Sequence, residues 1–177
     1  MEYILVFFKK NTNLQRLELI HSIIKSNPAI RFNEIMRISK LKNGTLTHYV
    51  NKLENSVKVN VERTPRVTRF YDVSIPTKEA IICRYFTRPS VRDILVLLLK
   101  KHKLSSAEIR QNLKKSPATV SVLLNDLFKA NVIEKDYDIP SNMYSLREPE
   151  FVLNVLRSHF PSITSKLTDN TTEMLDF

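Results

Sequence analysis

Asn43-Gly44-Thr45-Leu46-Thr47-His48-Tyr49-Val50-Asn51-Lys52-Leu53 and, 74 positions later, Pro117-Ala118-Thr119-Val120-Ser121-Val122-Leu123-Leu124-Asn125-Asp126-Leu127 decide how this chain reads. Leu46, Val50 and Leu53 in the first stretch, and Val120, Leu124 and Leu127 in the second, recur at i, i+4 and i+7. That spacing puts each triple on one face of an α-helix. Each helix has a start signal. Asn43-Gly44 precedes the first, and Ser116-Pro117 offers the second an N-cap serine with proline at its first position. The same offset lays Glu34-Ile35 on Glu108-Ile109 and Val59 on Ile133, so the chain reads as two copies of one unit.

Each copy extends in the same order. A leading amphipathic helix is expected over Leu14–Lys25 in the first and Val91–Lys101 in the second. Ser105-Ser106-Ala107-Glu108 is a capping box, and Ser90-Val91-Arg92-Asp93 resembles one. After each capped helix come β-branched residues and a turn. In the first copy these are Val57–Val61, Thr64-Pro65-Arg66 and Val67–Tyr71; in the second, Val132-Ile133, a turn over Asp136–Asn142 and Met143–Leu146. Helix, helix, short turn, helix, hairpin is the order of a winged helix-turn-helix. The expected class is therefore mostly α with small β-hairpin wings (α+β), as two tandem winged helix-turn-helix units. The expected boundaries are an N-terminal unit over 1–76, a connecting helix over 77–89, a C-terminal unit over 90–160 and a tail over 161–177, with Pro76 and Pro89 bounding the connector. The apolar Tyr3–Phe8 is expected to pack on the body or across a dimer, and the tail is either frayed or a docking helix.

The composition narrows the chemistry. Gly44 is the only glycine among 177 residues. A phosphate-cradling P-loop, a Rossmann turn and a Gly-x-Ser-x-Gly elbow each need several glycines, so all three are excluded. Cys83 is the only cysteine, follows the apolar Ile81-Ile82 and reads as a buried, inert thiol. His21, His48, His102 and His159 make no metal-spaced pair. No carboxylate pair, triad or metal cluster assembles from local motifs, so no catalytic residue, metal or cofactor is expected and the chain is read as not an enzyme. Ile4–Phe8 is far shorter than the roughly 20 apolar residues of a membrane span, and the start lacks the basic residues of a secretory signal. The expected setting is cytoplasmic, with no membrane contact.

Charge is one-sided. Residues 1–88 hold 16 Lys+Arg against 7 Asp+Glu, a net of +9, whereas 89–177 hold 12 against 11, a net of +1. Such a surplus suits a polyanion partner. Phe32-Asn33-Glu34-Ile35 with Asn43–Glu54, and Ser116–Ser121 with Leu124–Leu127, resemble the helix-turn-helix of archaeal winged-helix transcriptional regulators related to the ArsR and MarR groups; the end of the first hairpin, Arg69-Phe70-Tyr71, is similar to that group too. The likeness spans roughly residues 14–160. It implies DNA-binding repressors or activators, usually dimeric.

In that geometry the second helix of the pair enters the major groove. With Leu46, Val50 and Leu53 turned inward, the expected outward set is Thr45, Thr47, His48, Tyr49, Asn51 and Lys52. Thr and Asn hydrogen-bond base edges, and the threonine methyl packs on a thymine methyl. Asn43 and Gly44 open the helix, where bare amides approach a phosphate, and Lys40 and Lys42 in the preceding turn are expected phosphate clamps. The hairpin supplies Arg63, Arg66 and Arg69 for the minor groove or backbone. In the second copy His48, Tyr49 and Lys52 become Val122, Leu123 and Asp126, and Glu134, Asp136 and Asp138 stand in the hairpin. Val122 and Leu123 suit either contact with a protein partner or burial in their own unit. The leading expectation is a sequence-specific, homodimeric regulator of double-stranded DNA that reads through helix 44–54 and wing 62–70. The alternative is a tandem winged-helix module for protein interaction in a transcription or chromosome-organising complex. An RNA reader is disfavoured, as neither an aromatic-studded sheet nor a GxxG loop is present.

Overall fold

The fold comes from a computed structural model that describes residues 2–137 and 141–164, with side chains from residue 13 onward. The expected packing of Tyr3–Phe8, the part played by Asp138 and the nature of residues 165–177 lie outside the described residues. The chain divides into two compact units between Ala80 and Ile81.

The first unit runs α1 (Glu2–Ser26), β1 (Ile30–Arg31), α2 (Phe32–Ser39), α3 (Asn43–Asn55), β2 (Val59–Arg63) and β3 (Thr68–Asp72). Its sheet has the order β1-β3-β2, all antiparallel, with Phe70 opposite Ile30 on one side and Val61 on the other. Ile20, Ile23 and Ile24 of α1 pack with Ile35 of α2, with Leu46, Tyr49, Val50 and Leu53 of α3, and with Val59 and Phe70 of the sheet. Burying these side chains supplies the driving force, about 1.5–3 kcal/mol for each fully buried aliphatic residue. His21 on α1 hydrogen-bonds Asp72 on β3 through Nε2 at 2.8 Å, and Asp72 also accepts from the Ser74 backbone N–H at 3.0 Å and from the Ser74 hydroxyl.

The chain then forms α4 (Thr77–Phe86), within which the division falls. The second unit continues through α5 (Pro89–Lys101), β4 (Lys103–Ser105), α6 (Ser106–Leu113), α7 (Pro117–Lys129), β5 (Ile133–Asp136), β6 (Met143–Leu146) and α8 (Pro149–His159). Its sheet repeats the pattern, β4-β6-β5. The offset of 74 carries α2 onto α6 and α3 onto α7 residue for residue. Ile94, Leu95 and Leu98 of α5, Ile109, Val120, Leu124 and Leu127 form the matching buried set. Cys83 is also buried.

The caps form as local chemistry dictates at Ser105 and Ser116, but not at Asn43, which is the first residue inside α3 behind Lys42 as N-cap, nor at Ser90. Ser105 accepts from the Glu108 N–H while the Glu108 carboxylate accepts from the Ser105 N–H, and Ser116 accepts from the Thr119 N–H. Ser90 is not the N-cap: α5 begins two residues earlier than Val91, with Pro89 at N1 and Arg88 as N-cap, because proline has no N–H to satisfy there. Two boundaries also shift. The leading helix is longer than Leu14–Lys25, and the first hairpin strand starts at Val59 rather than Val57. Val57 is instead spent closing α3. Its N–H bonds to Glu54 O and the Lys58 N–H to Leu53 O, a Schellman closure that needs a left-handed residue, and Val57 has φ 55°. Asn131 fills the matching place after α7 with φ 56°, without the steric cost of a β-branched side chain.

Two stability outcomes are expected. Val57→Asn, at an exposed position, raises the unfolding free energy measured in urea by about 1 kcal/mol by relieving the left-handed valine. Burial pushes the Asp72 carboxyl upward, but the hydrogen bonds from Ser74 and His21 outweigh it and hold it below the ordinary carboxylate value. The stabilisation is therefore complete above the unfolded-state pKa and is lost as pH falls through the lower folded-state value. Asp72→Asn is expected to cost about 2 kcal/mol near neutrality, and urea titrations at successively lower pH should show that deficit shrinking.

Candidate nucleic-acid interface

The exposed side of α3 is set by what its other side buries. Leu46, Tyr49, Val50 and Leu53 lie at i, i+3, i+4 and i+7 and face the core, which leaves Asn43, Gly44, Thr47, His48, Asn51 and Lys52 in solvent and Thr45 half-buried. Tyr49 is therefore no outward residue. It is 3% exposed and donates its hydroxyl hydrogen to Asn13 Oδ1 on α1 at 2.6 Å. Tyr49 lies three residues from Leu46 and four from Leu53, in the middle of the stripe that Leu46, Val50 and Leu53 form, so helical spacing alone places it inward. Tyr49 still shapes the outer face, because the His48 ring rests edge-on against it with centroids 5.2 Å apart. Thr47 donates to Asn43 Oδ1 at 3.2 Å, one turn back.

Lys40 and Lys42 are both exposed beside the start of α3. Lys40 closes α2 in the left-handed conformation (φ 58°), its N–H on Met36 O, and Lys42 is the N-cap of α3. Gly44 has no internal steric reason to be glycine, since a methyl there meets nothing within 4 Å.

The three hairpin arginines separate sharply. Arg66 sits in the exposed tip, which Thr64 and Val67 close with three mutual hydrogen bonds of 2.9–3.1 Å. Arg63 is exposed but donates from both Nη atoms to Glu54 at 2.6 Å, pinning the hairpin to the end of α3; those bonds hold the Glu54 carboxyl below its ordinary value. Arg69 is 4% exposed and donates to the Ala29 carbonyl at 3.3 Å. It belongs to the interior because β3 is the central strand, covered by β1 on one side and β2 on the other. The two-residue strand β1 is too short to announce itself in the sequence, so the burial of Arg69 was not legible there. Arg31, which no motif singled out, shares with Arg66 a cleft of about 560 Å³, whose lining also includes Asn33, Glu34 and Thr68.

In the second unit Leu123 is 9% exposed and occupies the place of Tyr49, so it is buried, while Val122 is 68% exposed. Asp126 is no free acid on an outer face. Arg88 is ion-paired with one of its carboxylate oxygens, and the Tyr85 hydroxyl donates to the other at 3.3 Å. Asp136 is paired with Lys103 at 2.9 Å. Among the described residues no three His, Cys, Asp or Glu side chains are grouped to hold a metal ion, and no helix is long and apolar enough to cross a membrane.

Residues 88–135, from the start of α5 into β5, match the family described as "Bacterial regulatory protein, arsR family". The matched segment falls in the unit whose outer helix carries Val122 rather than His48. No curated protein matches the chain. Among solved structures, reduced HlyU from Vibrio cholerae is similar at 20% identity over 48% of this chain and 90% of that one, with a TM-score of 0.40. The transcriptional repressor BigR from Xylella fastidiosa is similar at 24% identity over 47% and 86%, TM-score 0.40. MepR of S. aureus, in a complex with DNA, is similar at 22% identity over 48% and 75%, TM-score 0.35.

The separation of the arginines has a direct readout. Arg69→Ala leaves the Ala29 carbonyl without its donor inside the unit and is expected to lower stability by about 2 kcal/mol in urea unfolding, whereas Arg66→Ala should stay within about 0.5 kcal/mol of the parent.

Proposed function

We propose that the chain is a sequence-specific, double-stranded-DNA-binding transcriptional regulator whose first unit reads the duplex. The observation that carries this reading is the outer face of α3: Thr47, His48, Asn51 and Lys52 project from a helix whose opposite stripe is fully packed. Lys40 and Lys42 flank its start and Arg66 stands at the hairpin tip. In that arrangement α3 lies in the major groove. Asn51 hydrogen-bonds a base edge, with adenine N6 and N7 as the geometric match, Thr47 offers a hydroxyl and a methyl, and His48 offers a ring nitrogen. Lys40, Lys42 and Lys52 neutralise phosphates, and the open amides at Asn43 and Gly44 approach the backbone. Arg66 enters the minor groove or contacts the backbone beside it. The net +9 of residues 1–88 supplies the attraction. The match of residues 88–135 to the ArsR family supports the regulatory class. Arg63 and Arg69 are given structural roles: the first holds the hairpin to α3 and the second braces the turn at Ala29. A homodimer would set two such helices on half-sites about one helical turn, roughly 10 bp, apart or a multiple of it.

Fluorescence-anisotropy titrations of a duplex selected from a random pool test this. Affinity is expected to fall linearly in log–log form with added salt. Arg66→Ala should weaken all duplexes alike and reduce the salt slope by about 1, while Asn51→Ala should cost about 1–3 kcal/mol on the selected duplex and relax preference at one base pair. An Asn51→Ala variant with unchanged affinity and selectivity removes α3 from the groove.

A further inference from the structure

We infer that the second unit binds a small organic carboxylate in a cleft between α6, α7 and β6, with Arg110 holding the carboxylate group. The inference concerns the second unit alone and does not rest on the reading of α3 given above.

The repeat shows what is unusual about this cleft. At the offset of 74, α2 coincides with α6 and α3 with α7, and the sheets keep the same register: Ile30 lies opposite Phe70 where Leu104 lies opposite Tyr144. Equivalent places can therefore be compared side chain by side chain. Phe32, Met36 and Phe70 of the first unit correspond to Ser106, Arg110 and Tyr144 of the second. In the first unit Phe32 and Met36 pack against the core, and the Phe32 ring centroid lies 6.4 Å from that of Phe70. In the second unit the ring at the start of the helix is gone, a guanidinium replaces the thioether, and the strand residue gains a hydroxyl. The same junction there holds a cleft of about 350 Å³. The cleft that Arg31 and Arg66 share in the first unit is a different place, reaching the hairpin tip and lined by no residue of α3.

The walls select the ligand. Val120 and Leu124, both buried, form an apolar floor with Ala107. Arg110, Ser106, Ser121 and Tyr144 supply the polar groups, and among the described residues none of these four side chains is engaged in a hydrogen bond or ion pair. No carboxylate lines the cleft. A guanidinium presents a planar fork that matches the two oxygens of a carboxylate. It is the one charged group in the wall, so it balances a single negative charge, as a carboxylate carries, rather than the two of a phosphate monoester. The serine and tyrosine hydroxyls can donate to the remaining oxygen lone pairs. A volume near the lower limit of ligand pockets suits a short alkyl chain or a single ring over the floor.

Two-dimensional proton–nitrogen NMR of the full chain, at constant ionic strength, reads the binding of hexanoate and benzoate. Acetate serves as the carboxylate without a body, and benzamide as the body without a charge. Thermal melts establish that the variants Arg110→Ala, Arg110→Lys and Ser106→Phe are folded; the last restores the ring that the first unit carries at that place. Hexanoate or benzoate is expected to shift the amides of residues 106–110 and 117–124 saturably, with a Kd of about 1 mM or tighter. Acetate and benzamide should bind at least about tenfold more weakly. Arg110→Ala should weaken the better acid about 10- to 100-fold, and Arg110→Lys about 3- to 10-fold, because the charge is kept and the fork is lost. Ser106→Phe should abolish the saturable shifts by covering the floor. The inference is overturned if neither acid gives saturable shifts up to about 20 mM, or if Arg110→Ala or Ser106→Phe keeps the parental Kd. It is overturned equally if acetate, benzamide or inorganic phosphate matches the better acid on the same amides. None of these results bears on the reading of α3, which the duplex titrations test separately.

Discussion

Burial of one stripe of α3 against α1, through Leu46, Tyr49, Val50 and Leu53, is the constraint on which the interface rests. A helix with one face committed to a core has its opposite face fixed in rotation, so the directions of Thr47, His48 and Asn51 follow from packing. The Tyr49 hydroxyl on Asn13 ties that rotation to α1, and the His48 ring lies against the same tyrosine. A side chain that touches no solvent thus orders one that does. The ion pair between Arg63 and Glu54 extends the control to the hairpin by holding β2 at the end of α3. Rigid placement of exposed polar groups lowers the entropy such a face loses when it binds a partner, which is the physical use of such bracing.

Charge means little until its partners are known. Counted along the sequence, the hairpin of the first unit holds three equivalent arginines and α7 holds an ill-placed aspartate. In the fold one arginine is internal, one is spent on a carboxylate, one stands at the tip, and the aspartate is compensated by Arg88 and Tyr85. Surface ion pairs of this kind contribute little stability. Their effect here is to decide which charges are left to face a polyanion.

Left-handed residues supply a further common device. With Gly44 inside α3, the tight closures fall to Ala29, Lys40, Val57, His102, Lys114 and Asn131. Lys40 and Lys114 end the first helix of each pair and set the path into the next, so a strained backbone position and an exposed cation are the same residue.

The helix pairs, their caps at Ser105 and Ser116 and the offset of 74 were legible from the sequence alone, because helical periodicity and capping are interactions within a few residues. The same locality made Thr47, His48 and Asn51 readable as outward. Some departures are local, as at Ser90 and Val57, but the charged groups depend on longer range. Arg69 is bonded to a turn carbonyl 40 residues away and Asp126 is paired with Arg88, 38 residues away, whereas Tyr49 lies in the local stripe of Leu46, Val50 and Leu53 and only its hydroxyl partner, Asn13, is distant. The strands β1 and β4 are too short for any pattern to show, and only their antiparallel pairing with β3 and β6 makes them strands. Which helices form is set by neighbours along the chain; which of their charges remain free is set by neighbours across it, and only tertiary packing brings those together.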